Sequence, residues 1–318
     1  MERERIQKYL GREFPGFGAD DFPAQGSLTT GKVRDILDLG EELVIATSDR
    51  ISAFDRVLTV IPCKGQVLNG MAMFWFDKTA DIISNHVIEV ITERTVKVRK
   101  CEVLPVEVVV RGYLTGSAWR DYAAGNSISG IELPGGMRMN EKFEEPIITP
   151  STKAERGSHD EPISGREVVD RGLVDGEMWR EVTRTALALF TRGTRIAADR
   201  GLILVDTKYE FGLSNGKLVL VDEVHTPDSS RFWYADTYGE LYEKNETQRI
   251  LDKEYLRQWL MERGFKGDGE APHIPDEVRV ETAWRYVQAY ETITGESFEP
   301  ADADPAEELA AVRSALSL

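Results

Sequence analysis

The sequence predicts an α+β chain with a β-rich N-terminal lobe, and three observations carry that expectation. The first hundred residues alternate short β-branched runs with turns. Helical periodicity takes over after about residue 160, and 318 residues exceed what one hydrophobic core usually spans. The expected division is 1–105 and 106–318.

In the first stretch, strands are expected at 33–38, 43–47, 57–61, 87–91 and 96–98. A helix at 66–83 interrupts them, with Val67, Met71, Phe74 and Trp75 spaced to give one apolar face. The β-rich run 106–114 ends in Thr115-Gly116-Ser117, small residues that leave the N–H groups of a following short helix open to an anion. Residues 125–157 are rich in Gly, Pro, Asn and Ser without periodicity, and predict a loop or short hairpins. Helices follow at 163–170 and 175–200, then two β-runs around Ser214-Asn215-Gly216. Further helices are expected near Ser229, at 252–263 and at 276–293, and the acidic segment 299–307 is expected to fray.

Composition excludes several classes. Hydrophobic residues make up 41% and charged residues 30%, as in a globular protein. The longest apolar runs are strand-sized, far short of the ~20 residues that cross a bilayer. The start, Met1-Glu2-Arg3-Glu4-Arg5, has no apolar stretch of the secretory kind, so a cytoplasmic location is expected. Cys63 and Cys101 lack metal-site spacing and are expected as buried thiols. A net charge of −16 opposes binding to nucleic acid or anionic lipid. Against that background, the places where Lys and Arg gather point to anionic ligands.

The chemistry concentrates in one hairpin. In an extended chain, Val205, Thr207, Tyr209 and Phe211 share one face, while Asp206, Lys208 and Glu210 share the other. A three-residue loop at Ser214-Asn215-Gly216 would set Lys208 opposite Asp222, with Glu210 diagonal to it. A two-residue loop would put the acids on opposite faces. Glu210 and Asp222 are hard oxygen ligands of the kind Mg²⁺ takes beside nucleotide phosphates. The competing reading is a surface hairpin with ordinary cross-strand ion pairs, and the polar run Asp222-Glu223-Val224-His225-Thr226-Pro227-Asp228-Ser229-Ser230-Arg231 weighs against it.

Gly31-Lys32-Val33-Arg34-Asp35 sets a glycine beside two cations on one strand face, without the spacing of a Walker loop. Arg111 can pair bidentately with a phosphate, and Ser117 can donate to one from a helix start. Two loops, Asp49-Arg50-Ile51-Ser52-Ala53-Phe54-Asp55 and the stretch from Ser151 to Glu161 that contains Lys153 and His159, are dense in reactive side chains. No Ser–His–Asp spacing argues for an acyl-enzyme.

Taken in order, these segments resemble the SAICAR synthetase family from Gly31 to about Thr294. The resemblance rests on Gly31-Lys32-Val33-Arg34-Asp35, Ser48-Asp49-Arg50-Ile51-Ser52-Ala53-Phe54-Asp55, Val109-Val110-Arg111-Gly112-Tyr113-Leu114-Thr115-Gly116-Ser117, the strand from Asp206 to Gly212, and the segment from Asp222 to Trp233. It implies a β-rich lobe on the nucleotide-phosphate side, an ATP-grasp-like α+β lobe carrying the metal and substrate site and the C-terminal helices, and ATP held between them. It also implies a ligase that uses ATP and Mg²⁺ to join L-aspartate to carboxyaminoimidazole ribonucleotide through an acyl phosphate. By resemblance, Lys32, Arg34, Lys153 and Glu210 bind ATP, and Glu210 and Asp222 hold the metal. Arg111, Ser117 and Arg231 contact the ribonucleotide phosphate, Asp206 and Lys208 are catalytic, and Asp49, Ser52, Asp55, His159 and Asp228 face substrate. The length resembles the branch in which a monomer is common, with a homodimer as the alternative.

Two rivals remain at this stage. Another carboxylate–amine ligase or a small-molecule kinase would share the ATP and metal residues, but would not need the second phosphate site of Arg111, Ser117 and Arg231. A non-catalytic nucleotide sensor would need neither that site nor Asp206 and Lys208.

Overall fold

The computed structural model describes residues 1–22, 26–54, 56–153, 161–251 and 254–317. It divides into two compact units: 1–74, 86–100 and 252–318 form the first, and 75–85 with 101–251 the second. The C-terminal helices thus belong with the N-terminal residues, whereas the expected division grouped them with 106–251.

The first unit contains α1 (Arg3–Ile6), β1 (Ser27–Thr30), β2 (Arg34–Asp38), β3 (Glu42–Thr47), β4 (Arg50–Ala53), β5 (Arg56–Val60), most of α2 (Lys64–Thr79), β6 (Val87–Val90) and β7 (Thr95–Arg99). Strands β1-β2-β3-β7-β6 form an antiparallel sheet, and β4 pairs with β5. The second unit adds β8 (Glu102–Tyr113), α3 (Gly116–Ala123), β9 (Lys142–Thr152), α4 (Gly165–Asp170), α5 (Gly176–Asp199), β10 (Leu202–Ser214), β11 (Lys217–Val221), β12 (Ser230–Tyr234) and α6 (Ala235–Glu243). Helices α7 (Glu254–Glu262), α8 (Asp276–Thr294) and α9 (Pro305–Ala315) return to the first unit.

Strand β10 is the spine of the second unit. It pairs with β8 on one side and with β12 and then β11 on the other, and β9 extends the sheet beyond β8. One face of β10 buries Thr207, Tyr209 and Phe211, while a register shift between Leu204 and Asp206 turns Val205, expected on that face, into a cluster with Tyr113 and Trp233. Helix α5 packs against β10, and its buried residues Trp179, Val182, Ala186, Leu189, Phe190, Gly193 and Ala197 recur at the three- and four-residue spacing of one helical stripe. Asp175 caps the helix by accepting from the N–H groups of Glu177 at 2.9 Å and Met178 at 3.0 Å. Close approach explains Gly112 on β8, where a Cβ would lie 3.2 Å from Phe190 Cζ.

Three local expectations give way, and one open alternative is decided. The stretch expected as loop contains β9, whose two prolines and exposed acids mask a strand pattern; an edge strand tolerates both. The helix expected near Ser229 is instead β12 followed by α6. The hairpin loop has two residues, because Ser214 pairs with Lys217 around Asn215 and Gly216, both at positive φ (52° and 72°) as a two-residue turn requires. Fraying was expected over 299–307, yet helix α9 begins within that segment, at Pro305, and is docked. It opens with an Asp304/Glu307 capping box and Pro305, and its Val312 joins the core of Phe14, Phe17, Phe22, Leu37, Val44 and Ala46.

A buried polar network ties α9 to the first sheet. Glu308 Oε1 accepts from the hydroxyls of Thr92 and Thr95, each at 2.6 Å, and its other oxygen lies 3.9 Å from Arg94 Nε. Arg94 pairs with Asp49 at 2.9 Å, and Asp49 accepts from the N–H groups of Phe14 and Gly65, both at 2.7 Å. Asp49 is 0% exposed. Replacing Glu308 with Ala strands two hydroxyls and weakens the setting of Arg94, and should destabilise the protein by about 2–4 kcal/mol. Urea denaturation checks this; an unchanged midpoint would show that the network contributes nothing to holding the helix.

Candidate active site

The polar face of β10 carries two rows of charge that run across the sheet. In the first, Asp206 stands opposite Arg111 of β8 and Arg231 of β12. Arg231 grips it with two donors, Nε at 2.9 Å and Nη2, while Arg111 Nη1 reaches it at 3.3 Å. Arg111 is fixed further by Thr149 Oγ1 at 2.8 Å and Ser117 Oγ at 3.2 Å. Ser117 lies in the first turn of α3, and the Arg231 guanidinium lies so close to Gly116 that a Cβ there would be 2.8 Å from its Cζ. Gly116 also has φ +61°, so both space and backbone call for glycine. Two guanidiniums against one carboxylate leave a positive excess beside hydroxyl and helix-start N–H donors, a seat suited to a phosphate. Asp206, expected among the catalytic groups, is taken up by both arginines, a placement that suits it to orienting them.

In the second row, Glu210 stands directly opposite Glu107 of β8. Like charges facing one another across strands are unfavourable unless a cation lies between them, and Lys208 fills that place. Its Nζ donates to Glu107 Oε1 at 2.8 Å and to Glu210 Oε1 at 2.5 Å, while Lys153 binds the second oxygen of Glu210. Burial works against the charge on Lys208, but Glu210, Asp222 and Glu107 outweigh it and hold the ammonium above its usual range. Burial likewise works against ionised Glu210, and Lys208 and Lys153 reverse this, so its carboxyl stays below the usual range.

Asp222 joins this group by a route other than strand alternation. Register places Glu210 opposite Val221, so continued pairing would send Asp222 to the other face. Instead Asp222 leaves the strand at φ +67°, and its charge acts on Lys208. Three carboxylates against two ammoniums leave one negative charge in excess, and every donor oxygen is hard, a set that fits Mg²⁺. Among the described residues no three metal-binding side chains converge into a complete cage. Glu210 and Asp222 are the residues that could hold such an ion, and Mg²⁺ in phosphate sites commonly takes only one or two carboxylates.

The remaining candidates fall elsewhere. Lys32 lies on the β1–β2 turn of the first unit and Arg34 opens β2, its carbonyl accepting from Gly31 N–H at 2.7 Å. Arg50 fixes that turn by donating to the carbonyls of Gly31 at 3.0 Å and Lys32 at 3.2 Å while pairing with Asp35 at 2.7 Å. Ser52 is half-buried on β4, and Asp228 is half-buried between β11 and β12. Asp49, expected to face substrate, lies instead in the interior network described above. Asp55 and His159 lie outside the described residues. Arg50, Arg94 and Glu107 take part in these arrangements without having been singled out from the sequence. Glu107 alone had a legible signal, since it stands at even spacing from Arg111 on the same strand. The cysteines form no disulfide; Cys63 is buried and Cys101 half-buried, and burial pushes the Cys63 thiol up to about 12.

Residues 27–274 match the SAICAR synthetase family model. A phosphoribosylaminoimidazole-succinocarboxamide synthase of Bacteroides thetaiotaomicron is 52% identical over 283 residues, covering 87% of this chain and 90% of the relative. Among solved structures, the SAICAR synthase of Saccharomyces cerevisiae complexed with SAICAR aligns with a TM-score of 0.78 and 34% identity, over 87% of this chain and 97% of that one. A SAICAR synthetase in complex with ADP aligns with a TM-score of 0.66 and 27% identity, over 86% of this chain and all of that one (100%). The architecture is the α+β, ATP-grasp-like class of these enzymes. With its family match spanning most of its length, the chain belongs to the SAICAR synthetase family.

Proposed function

We propose that this chain joins L-aspartate to 5-amino-1-(5-phosphoribosyl)imidazole-4-carboxylate at the expense of ATP, giving SAICAR, ADP and phosphate in purine biosynthesis. The observation that carries this reading is the pair of charge rows on one strand. The Arg111–Asp206–Arg231 row suits the ribonucleotide phosphate, and the Lys208–Glu210 row two residues along suits phosphoryl transfer. A small-molecule kinase or a nucleotide sensor has no use for both.

A carboxylate is a poor acyl donor because its leaving group would be an oxide. In the proposed sequence the imidazole carboxylate oxygen attacks the γ-phosphorus of ATP, the bond to the β–γ bridging oxygen breaks, and ADP leaves. The aspartate amine then attacks the acyl carbon, and phosphate departs with the former carboxylate oxygen. Lys208, held charged by its three acids, offsets the negative charge of the transferring group. Lys153 at Glu210, Lys32 on the β1–β2 turn and Arg34 at the start of β2 are the proposed phosphate contacts of the nucleotide. Ser117 and the two arginines fix the ribonucleotide, and Asp206 keeps those arginines aligned before substrate arrives, reducing the ordering cost of binding. Glu210 and Asp222 would hold Mg²⁺, which when bound supplies charge neutralisation at the phosphoryl oxygens. Ser52, Asp55, His159 and Asp228 remain proposed substrate-side residues. No helix among the described residues is long and apolar enough to cross a membrane; a cytoplasmic monomer working on small molecules is the proposed form.

Phosphate release from ATP should require the ribonucleotide, aspartate and Mg²⁺ together; release with a different acid acceptor, and none with this one, would reassign the reaction. Glu210→Gln and Asp222→Asn should each lower kcat by at least about 100-fold, on the scale of losing an electrostatic stabiliser in a phosphoryl-transfer site, while circular dichroism stays native. Near-normal turnover in both would refute the ligand assignment. Arg231→Ala removes charged hydrogen bonds worth about 1.5–3 kcal/mol, so KM for the ribonucleotide should rise roughly 10–100-fold with KM for ATP little changed. A rise confined to ATP would place the ribonucleotide phosphate elsewhere.

A further inference from the structure

A buried contact, which the proposed reaction does not use, joins residues just outside the two members of the proposed metal pair in sequence. Tyr209 sits on β10 between Lys208 and Glu210, but its side chain points to the opposite, apolar face and is 0% exposed. Its hydroxyl hydrogen-bonds His225 Nε2 at 2.5 Å. His225 is also 0% exposed, and it lies three residues beyond Asp222 in the connection that leads to β12.

The surroundings hold this ring from several sides. Trp75 meets it edge-on, with centroids 4.6 Å apart. Helix α5 passes so closely that a Cβ on Gly193 would lie 2.8 Å from His225 Nδ1 and 2.8 Å from Leu204 Cδ2. The connection itself is bent at both ends of this short stretch: Asp222 has φ +67° and His225 φ +49°, conformations that non-glycine residues adopt only where the surroundings impose them. Among the described residues Nδ1 has no hydrogen-bond partner, and the bond to Tyr209 is the ring's one polar tie there. Burial lowers the pKa of the ring to about 3, which keeps it neutral throughout the working range.

We propose that His225 is a positioning residue for the metal pair, and that its bond to Tyr209 fastens the 222–228 connection to β10 so that the Asp222 carboxylate turns toward Lys208 and Glu210. The physical reason is the register. Strand pairing alone would carry Asp222 to the wrong face, and the left-handed bend that corrects this must be held by something beyond the bend. Tyr209 is suited to hold it because it belongs to the same three residues as Lys208 and Glu210. The tie therefore links the 222–228 connection to the strand segment that carries Lys208 and Glu210. Asp222 acts on Lys208 from the polar face, while three residues later His225 anchors on the apolar face.

This inference rests on Glu210 and Asp222 being the metal pair, and the test separates the two. Mn²⁺ binding to the full-length protein is measured by electron paramagnetic resonance alongside steady-state kinetics, for wild type, Tyr209→Phe, His225→Leu and His225→Gln. Tyr209→Phe removes a single heavy atom, and the Gln side-chain amide, which carries both a donor and an acceptor, can stand in for Nε2. Mn²⁺ affinity and kcat should each fall roughly 10–100-fold in Tyr209→Phe and His225→Leu, the range for losing a group that orients a metal ligand, while KM for aspartate stays near wild type. His225→Gln should recover most of the loss, and the Tyr209→Phe/His225→Leu double variant should be no worse than either single one. Folded single variants with wild-type Mn²⁺ affinity and kcat would overturn the positioning role, as would His225→Gln behaving like His225→Leu. A wild type that binds Mn²⁺ no better than Glu210→Gln would overturn the metal pair and this inference together.

Discussion

Everything in the second unit depends on β10 having two chemically different faces. The apolar face anchors the strand against α5, which fixes where the polar face can be. The polar face then carries a carboxylate, an ammonium and a carboxylate at successive outward positions, Asp206, Lys208 and Glu210. None of these would tolerate partial burial alone, since an uncompensated charge removed from water costs several kcal/mol. Each is compensated by a neighbouring strand or segment: Arg111 and Arg231 for Asp206, Glu107 for Lys208, and Lys153 for Glu210. The sheet therefore builds the site and pays for it within the same set of contacts.

The compensation is also what makes the site usable by anionic substrates in a chain with net charge −16. Long-range attraction for phosphates is unfavourable, so recognition has to be local, by donors already aimed and partly desolvated. The Arg111–Asp206–Arg231 row meets that need, because the shared carboxylate holds both guanidiniums in place without neutralising them. The Lys208–Glu210 cluster has the opposite sign of excess, which suits a cation and the phosphoryl groups that accompany it.

Much of this was legible in the sequence because it follows from alternation. Once β10 is seen as a strand, Asp206, Lys208 and Glu210 must share a face, and the motif from Arg111 to Ser117 announces itself by an arginine followed by small residues at a helix start. What was not legible depended on contacts between residues far apart in sequence. The network from Asp49 through Arg94 to Glu308 spans the whole chain and has no local pattern. Strand β9 was hidden because its edge position permits prolines and acids that would rule out a central strand. The hairpin register was open because Ser214-Asn215-Gly216 suits two loop lengths, and the left-handed bend at Asp222 brings the acid into range by a route that strand alternation cannot anticipate.

The central claim is that β10 holds a carboxylate substrate while its oxygen is converted into a leaving group. Supplying the ribonucleotide with ¹⁸O in its carboxylate and analysing the released phosphate by mass spectrometry tests this most directly. The account requires one labelled oxygen in each phosphate, carried there when aspartate displaces the acyl phosphate. Unlabelled phosphate, with one heavy oxygen kept in the product amide and the other released to water, would contradict it.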